Sequence, residues 1–397
     1  MLARRGAAII AAVTAGSTVP VLWICGPAGV GKSTVSWRLY SQLAATGVHV
    51  AFADTDQLCL CYPAPPGDPG RQHVKALNVG SMIPHLRSAG AQCVIVNGVL
   101  DPAGLETELL PDADVTICRL RADYHEVERR FVAKHGQRDG MDELLQEVHD
   151  EVRLMDASSF ADACVDTTCL SAGEVADLVR AACEDWPGFT GELADATGPL
   201  IVQRESVGGR VVLITGPTGV GKSTIGFRFY MKCLNAGLTA GYVDLSQIGF
   251  VQPADEVDPD NHHLKARNLA AIWRNYRAAG ATHLVATGTI AGLADLRRYA
   301  DELDGTDIAI IRLRAGRAEL RLRIMSRAAG GSWPETGDRL RDQSAEFLAD
   351  VADQAIQADE ALARSDVGGV VVDTSGLSPD EAASVIADVV GWPDRHP

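Results

Sequence analysis

Gly26-Pro-Ala-Gly-Val-Gly-Lys-Ser-Thr34 recurs 190 residues further on as Gly216-Pro-Thr-Gly-Val-Gly-Lys-Ser-Thr224. In the first copy the segment follows the short apolar run Val21–Cys25 and precedes Thr34–Ala45, whose apolar residues fall at helical spacing. A G-x-x-x-x-G-K-S segment between a strand and a helix is a phosphate-binding loop. Its glycines let backbone N–H groups turn inward around phosphates, and the helix N-terminus adds partial positive charge. The expected nucleotide contacts are Gly26, Ala28, Gly29, Val30, Gly31, Lys32, Ser33 and Thr34. In the second copy they are Gly216, Thr218, Gly219, Val220, Gly221, Lys222, Ser223 and Thr224. Lys32 and Lys222 supply the cation at the β- and γ-phosphates, and Ser33 and Ser223 offer hydroxyls to Mg²⁺. The implied ligands are ATP and Mg²⁺.

The repeat extends beyond the loop. The offset stays at 190 through Gly98 and Gly288, with 28 identities between residues 21–100 and 211–290. It then drifts: Arg119-Leu-Arg-Ala122 matches Arg312-Leu-Arg-Ala315, and Val165-Asp-Thr-Thr168 matches Val372-Asp-Thr-Ser375. Each copy ends in Trp-Pro. The expected organisation is a tail over 1–19, one domain over 20–187, a linker over 188–209 and a second domain over 210–397. Within each copy, strand and helix patterns alternate. That predicts an α/β fold: two tandem phosphate-loop domains, each a parallel five-stranded sheet sandwiched by helices. Helices are expected over Val74–Ala89, with Asp68 at the cap and Pro69 in the first turn, and over Asp123–Lys134.

Composition excludes several classes. The net charge of −16 argues against nucleic acid or an anionic membrane as partner. No apolar run is long enough to span a bilayer, and the weakly signal-like start leads straight into a nucleotide-binding strand, so a cytoplasmic protein is expected. The nine cysteines include no Cys-x-x-Cys pair and read as reduced, structural thiols. Lysine is scarce beside arginine, and four of the lysines fall at paired positions, Lys32 with Lys222 and Lys75 with Lys265. This scarcity makes each lysine informative.

The strands beyond the loop separate motors from kinases. The third strands run Cys93-Val-Ile-Val-Asn-Gly98 and His283-Leu-Val-Ala-Thr-Gly288, and neither ends in a carboxylate. The acids close the second strands instead, as Asp54-Thr-Asp56 and Asp244-Leu-Ser246. With the Gly after strand three, the arginine-bearing lid and the Asp166-Thr-Thr168 and Asp373-Thr-Ser375 turns, the chain resembles the small-molecule P-loop kinases related to shikimate, gluconate, adenylylsulfate and nucleoside-monophosphate kinases. The resemblance implies that Asp54 acts on Mg²⁺ or on the nucleophile, that Asp56 touches the acceptor hydroxyl, and that Asp244 keeps the first role in the second copy. It also places the last-strand turn under adenine, before helices opening with Ser171 and Glu174, or Ser378 and Glu381. A surface turn is the other reading of Asp-Thr-Asp.

Two further repeated sets stand out. Gln57 and Gln247 each follow the acid by three, and His73-x-Lys75-Ala-x-Asn78 recurs as His263-x-Lys265-Ala-x-Asn268. These residues, with Gly98 and Gly288, are candidates for acceptor binding; the alternative for the second set is cap and fold chemistry. His262 has no counterpart and is expected to be solvated. Arg130 with Lys134, and Arg323 with Arg327, are four apart. One helix face would then carry two cations toward the phosphates, unless that face is simply solvated. The expected function is transfer of the ATP γ-phosphate to a small hydroxyl-bearing molecule, with the two copies packed as an intrachain pseudo-dimer. A nucleotide-governed switch or scaffold is the alternative.

Overall fold

A computed structural model describes residues 18–102, 106–136, 139–187, 208–254, 256–328, 337–338, 340, 343–364 and 369–392. Nearly all of the expected tail and linker lies outside these ranges. The first copy runs β1 (Val19–Cys25), α1 (Lys32–Ala45), β2 (Val50–Asp54), β3 (Cys61–Tyr62), α2 (Gln72–Ser88) and β4 (Cys93–Asn97), then β5 (Ala113–Arg121), α3 (Tyr124–His135), α4 (Met141–Asp156), β6 (Ala163–Asp166) and α5 (Ala172–Ala182). The second runs β7 (Arg210–Thr215), α6 (Lys222–Asn235), β8 (Ala240–Asp244), β9 (Phe250–Gln252), α7 (His262–Ala278) and β10 (His283–Thr287), then α8 (Leu293–Glu302), β11 (Asp307–Arg314), α9 (Arg317–Ala328), α10 (Ala345–Arg364), β12 (Val370–Asp373) and α11 (Pro379–Val390).

Every residue of β2, β4, β8 and β10 is buried. Strands covered on both faces read as unbroken apolar runs, which is why parallel order was legible. One sheet runs β6-β5-β1-β4-β2-β9 and the other β12-β11-β7-β10-β8-β3. The pairings of β1 with β4 and β5, and of β7 with β10 and β11, are parallel. The five expected strands of each copy are present in one order. Each sheet has six strands, however, because a short strand that follows the acid-bearing loop of the other copy is added at its edge.

The compact units therefore cross the expected boundary. Unit one comprises Met1–Ala53, Val79–Ile201 and Val251–Pro253; unit two comprises Asp54–Asn78, Val202–Phe250 and Ala254–Pro397. Within unit two, β3 lies antiparallel to β8, with Cys61 opposite Gly241 and Tyr62 opposite Ala240. Tyr242 N–H donates to the Leu60 carbonyl, the buried Tyr276 hydroxyl to the Leu58 carbonyl, and Asn275 Nδ2 to Asn78 Oδ1. The Arg71 guanidinium covers the Tyr62 ring at 4.1 Å.

Ser171 with Glu174, and Ser378 with Glu381, form the two capping boxes. Asp68 also caps, its carboxylate accepting from Val74 N–H, but α2 begins at Gln72, so Pro69 lies in the turn before the helix rather than in its first turn. All nine cysteines are free. Burial pushes the Cys25, Cys93 and Cys233 thiols up to about 12, which leaves them inert. No helix among the described residues is long and apolar enough to cross a membrane.

Candidate nucleotide and acceptor sites

Both phosphate loops sit where a parallel strand turns into a helix. In unit two, Gly216 has φ +151° and Gly219 φ +79°. A Cβ on Gly216 would meet the Leu313 carbonyl oxygen at 2.5 Å, and one on Gly219 would meet Ile324 at 2.6 Å. Only glycine fits a loop held this close to its neighbours. Lys222 Nζ donates to the Gly216 and Pro217 carbonyls at 2.9 Å each, and Lys32 Nζ to those of Gly26 and Pro27 at 2.9 and 3.0 Å. Each lysine thus lies folded across its own loop, with its ammonium at the loop mouth.

In unit two the residue after the lysine meets the acid. Ser223 Oγ donates to Asp244 Oδ2 at 2.6 Å, and Thr287 Oγ1 to the same oxygen at 3.0 Å. Ser246 N–H and Oγ donate to Asp244 Oδ1 at 2.9 and 2.7 Å. The Tyr242 hydroxyl lies 3.0 Å from Thr287 Oγ1 and braces that residue. So the carboxylate at the end of β8, reached across β10, stands at the hydroxyl expected to face the metal. In unit one the residue matching Thr287 is Asn97, whose Nδ2 donates to Ser33 Oγ at 3.0 Å. Asp54 closes β2, and its Oδ1 accepts from Asp56 N–H. Among the described residues no cluster of three or more His, Cys, Asp or Glu could cage a metal. A hydroxyl and one carboxylate fit Mg²⁺, which keeps waters and phosphate oxygens as its other ligands.

Arg130 and Arg323, expected on a helix face turned to the phosphates, each have protein partners in the structure. Arg130 Nε donates to Glu126 at 2.8 Å, Nη1 to the Val30 carbonyl and Thr167 Oγ1 at 3.1 and 3.0 Å, and Nη2 to the Thr167 carbonyl at 2.9 Å. Arg323 repeats the pattern with Glu319, Val220 and Thr374. Each guanidinium clamps the phosphate loop to the turn after the last strand, which makes it a positioning group. Arg327 is engaged by Asp338, and Arg119 by the Met155 carbonyl and Asp156. Beside the Arg130 clamp lies a cavity of about 480 Å³, lined by Val30, Thr34, Arg129, Thr167, Leu170 and Val175 among others. Arg130 and its partner Glu126 also line this cavity, so the clamp forms part of its wall.

The acceptor candidates divide. Asn78 and Asn268 are fully buried, and their amides donate to the Leu58 and Ile248 carbonyls at 2.6 and 2.7 Å. They brace their own loops, as the fold-chemistry alternative for this set expects. Gly288 is needed for packing, since a Cβ there would lie 2.7 Å from Leu245, and Gly98 N–H donates to the Ile24 carbonyl at 3.3 Å. His73 and His263 are exposed and Gln57 is half-buried. Gln247 is buried and donates to Ser246 Oγ. Lys75 Nζ pairs with Asp56 at 3.5 Å. Burial lowers the pKa of Lys265, with Asp260, Asp244 and Asp258 opposing. His262, expected to be solvated, is buried and shares a 3.0 Å hydrogen bond with the Tyr299 hydroxyl. The sequence reading missed Glu126, Glu319, Asn97, Thr287 and Tyr242 as parts of these sites. The signal for the first two was an acid four residues before the paired arginine in both copies.

Two parallel-dominated sheets, each with a phosphate loop after its central strand, fit a P-loop kinase fold. No family model matches the chain, and no curated protein matches it. Among solved structures the chain is similar to a gluconokinase from Sinorhizobium meliloti 1021 at 16% identity over 44% of this chain and 99% of that one, TM-score 0.31. A tunicamycin resistance protein of Deinococcus radiodurans matches at 19% over 48% and 99%, TM-score 0.32, and the APS kinase of Mycobacterium tuberculosis at 20% over 46% and 97%, TM-score 0.28. These include small-molecule P-loop kinases of the group that the sequence resembles.

Proposed function

We propose that the chain is an ATP-dependent phosphotransferase acting on a small hydroxyl-bearing molecule, with a nucleotide at each phosphate loop. The observation that carries this reading is the Ser223–Asp244–Thr287 constellation beside Lys222. It supplies an oxygen set for Mg²⁺ and leaves the strand next to the loop strand without the carboxylate that a motor would carry. Mg²⁺, held by Ser33 with Asp54 or by Ser223 with Asp244, would supply charge neutralisation to the phosphate oxygens. Lys32 and Lys222 exchange their loop carbonyls for those oxygens. The acceptor oxygen attacks the γ-phosphorus, the bond to the β-phosphate oxygen breaks, and a carboxylate at the end of β2 takes the hydroxyl proton. Asp54 and Asp56 make the first copy the one equipped for transfer; Ser246 replaces the second acid in the other.

Mass-spectrometric screening of candidate acceptors for a gain of one phosphate tests the activity. Asp54→Asn is expected to cut turnover by about two orders of magnitude while leaving ATP binding nearly intact, with a much smaller effect from Asp244→Asn on the same acceptor. Slow ATP consumption indifferent to every acceptor and to both substitutions would replace the kinase by a nucleotide switch.

A further inference from the structure

The phosphate loop of unit one is engaged by an acid of its own chain. Ala28 N–H, within the loop, donates to Glu151 Oε2 at 3.0 Å. Glu151 stands on α4, whose buried residues Met141, Val148, Val152 and Met155 make one stripe. It lies three residues after Val148 and four before Met155, so it shares that inward face, and it is half-buried. The C-terminal end of α4 is pinned, since Arg119 donates to the Met155 carbonyl and to Asp156. The loop is pinned as well. Arg130 holds the Val30 carbonyl, and a Cβ on Gly29 would lie 2.9 Å from the Val127 carbonyl oxygen. The Glu151 side chain is therefore the part that can yield.

Unit two lacks this acid. Arg312 donates to the Leu362 carbonyl as Arg119 does to that of Met155. With Leu362 matched to Met155, the buried Leu348 and Ala355 of α10 match Met141 and Val148, and Ala358 falls where Glu151 stands. Its methyl group offers no acceptor to a loop N–H.

Backbone N–H groups in such a loop are phosphate donors. Ala28 follows Gly26 and Pro27, whose carbonyls hold the Lys32 ammonium, and precedes the start of α1 at Lys32 by four residues. Because that lysine reaches the β- and γ-phosphates, Ala28 N–H faces the outer end of the phosphate chain. A carboxylate oxygen and a γ-phosphate oxygen compete for that donor, and the two anions repel.

Resting on the reading of a nucleotide at each loop, we infer that Glu151 is an autoinhibitory carboxylate. It stands in for the γ-phosphate at the unit-one loop and sets that loop's selectivity between nucleoside triphosphates and diphosphates. A triphosphate must expel it, whereas a diphosphate leaves the Ala28 contact in place. The device belongs to the first sequence copy alone.

The test uses the full chain carrying Lys222→Ala, so that the first loop is the one read, and calorimetric titration with Mg²⁺ and either AMP-PNP or ADP. Glu151→Ala is expected to tighten AMP-PNP about tenfold while moving ADP by less than about twofold. Glu151→Gln keeps the size of the side chain without its charge and should shift AMP-PNP the same way by a smaller factor. It reports even if Glu151→Ala fails to fold. In a Lys32→Ala chain, where the second loop is read, Glu151→Ala should change neither nucleotide. AMP-PNP binding unchanged or weakened by both Glu151 substitutions, or ADP tightened as much as AMP-PNP, overturns the inference and leaves the kinase reading standing. A Lys222→Ala chain that binds neither nucleotide, whether or not Glu151→Ala is added, overturns both.

Discussion

A guanidinium with three partners illustrates how a residue's chemistry depends on what reaches it first. Spacing puts Arg130 and Arg323 on a cationic helix face, yet Glu126 and Glu319, one turn earlier, hold Nε and aim the fork at the phosphate loop. Lysine cannot reproduce a planar fork that bonds a carboxylate, two carbonyls and a hydroxyl together. Arg323→Lys should therefore lower the stability of unit two by about 2 kcal/mol and weaken its nucleotide binding, checked by thermal unfolding and nucleotide titration. His262 gives a pH signature. Burial holds its pKa below the ordinary 6.5, against the opposing pull of Asp295. The folded state then favours the neutral ring, so His262 contributes stability that is present above about pH 6.5 and lost as pH falls toward the folded pKa. The melting temperature of unit two should drop on acidification from about pH 7 to about pH 5, and His262→Phe should flatten that slope.

At the scale of elements, the strands that carry the core were readable because burial on both faces leaves a continuous apolar signature. The two shortest strands were not. Cys61–Tyr62 and Phe250–Gln252 are too brief to show any period. What holds β3 is tertiary: a ladder to β8 and side-chain bonds from α7. Tyr276→Phe removes one of two donors to the Leu58 carbonyl, the other being Asn78. We expect a loss of about 1 kcal/mol, with hydrogen exchange rising first over residues 54–78. For the paired asparagines the readings as acceptor contacts and as fold chemistry both stay open in sequence, because recurrence in two copies marks fold chemistry and site chemistry alike. Only the direction of each amide separated the two.

At the scale of the molecule, each compact unit includes a segment from the other sequence copy, so the sequence repeat does not coincide with the compact unit. Residues 1–190 made alone would carry 54–78 without the sheet that β3 joins, and would lack 251–253. We expect each half, 1–190 or 205–397, to self-associate or aggregate alone and the two to elute together when co-expressed, as size-exclusion chromatography would show. Monomeric, cooperatively melting halves would show that these segments are dispensable. The phosphate loops, the strand order's parallel character, the capping boxes and the position of the acids were all determined by sequence, because each follows from local backbone needs or from burial periodicity. Which sheet a two-residue strand joins and which way Arg130 and Asn78 turn were decided only by tertiary structure. Those outcomes rest on contacts between residues far apart in the chain, for which local sequence carries no period.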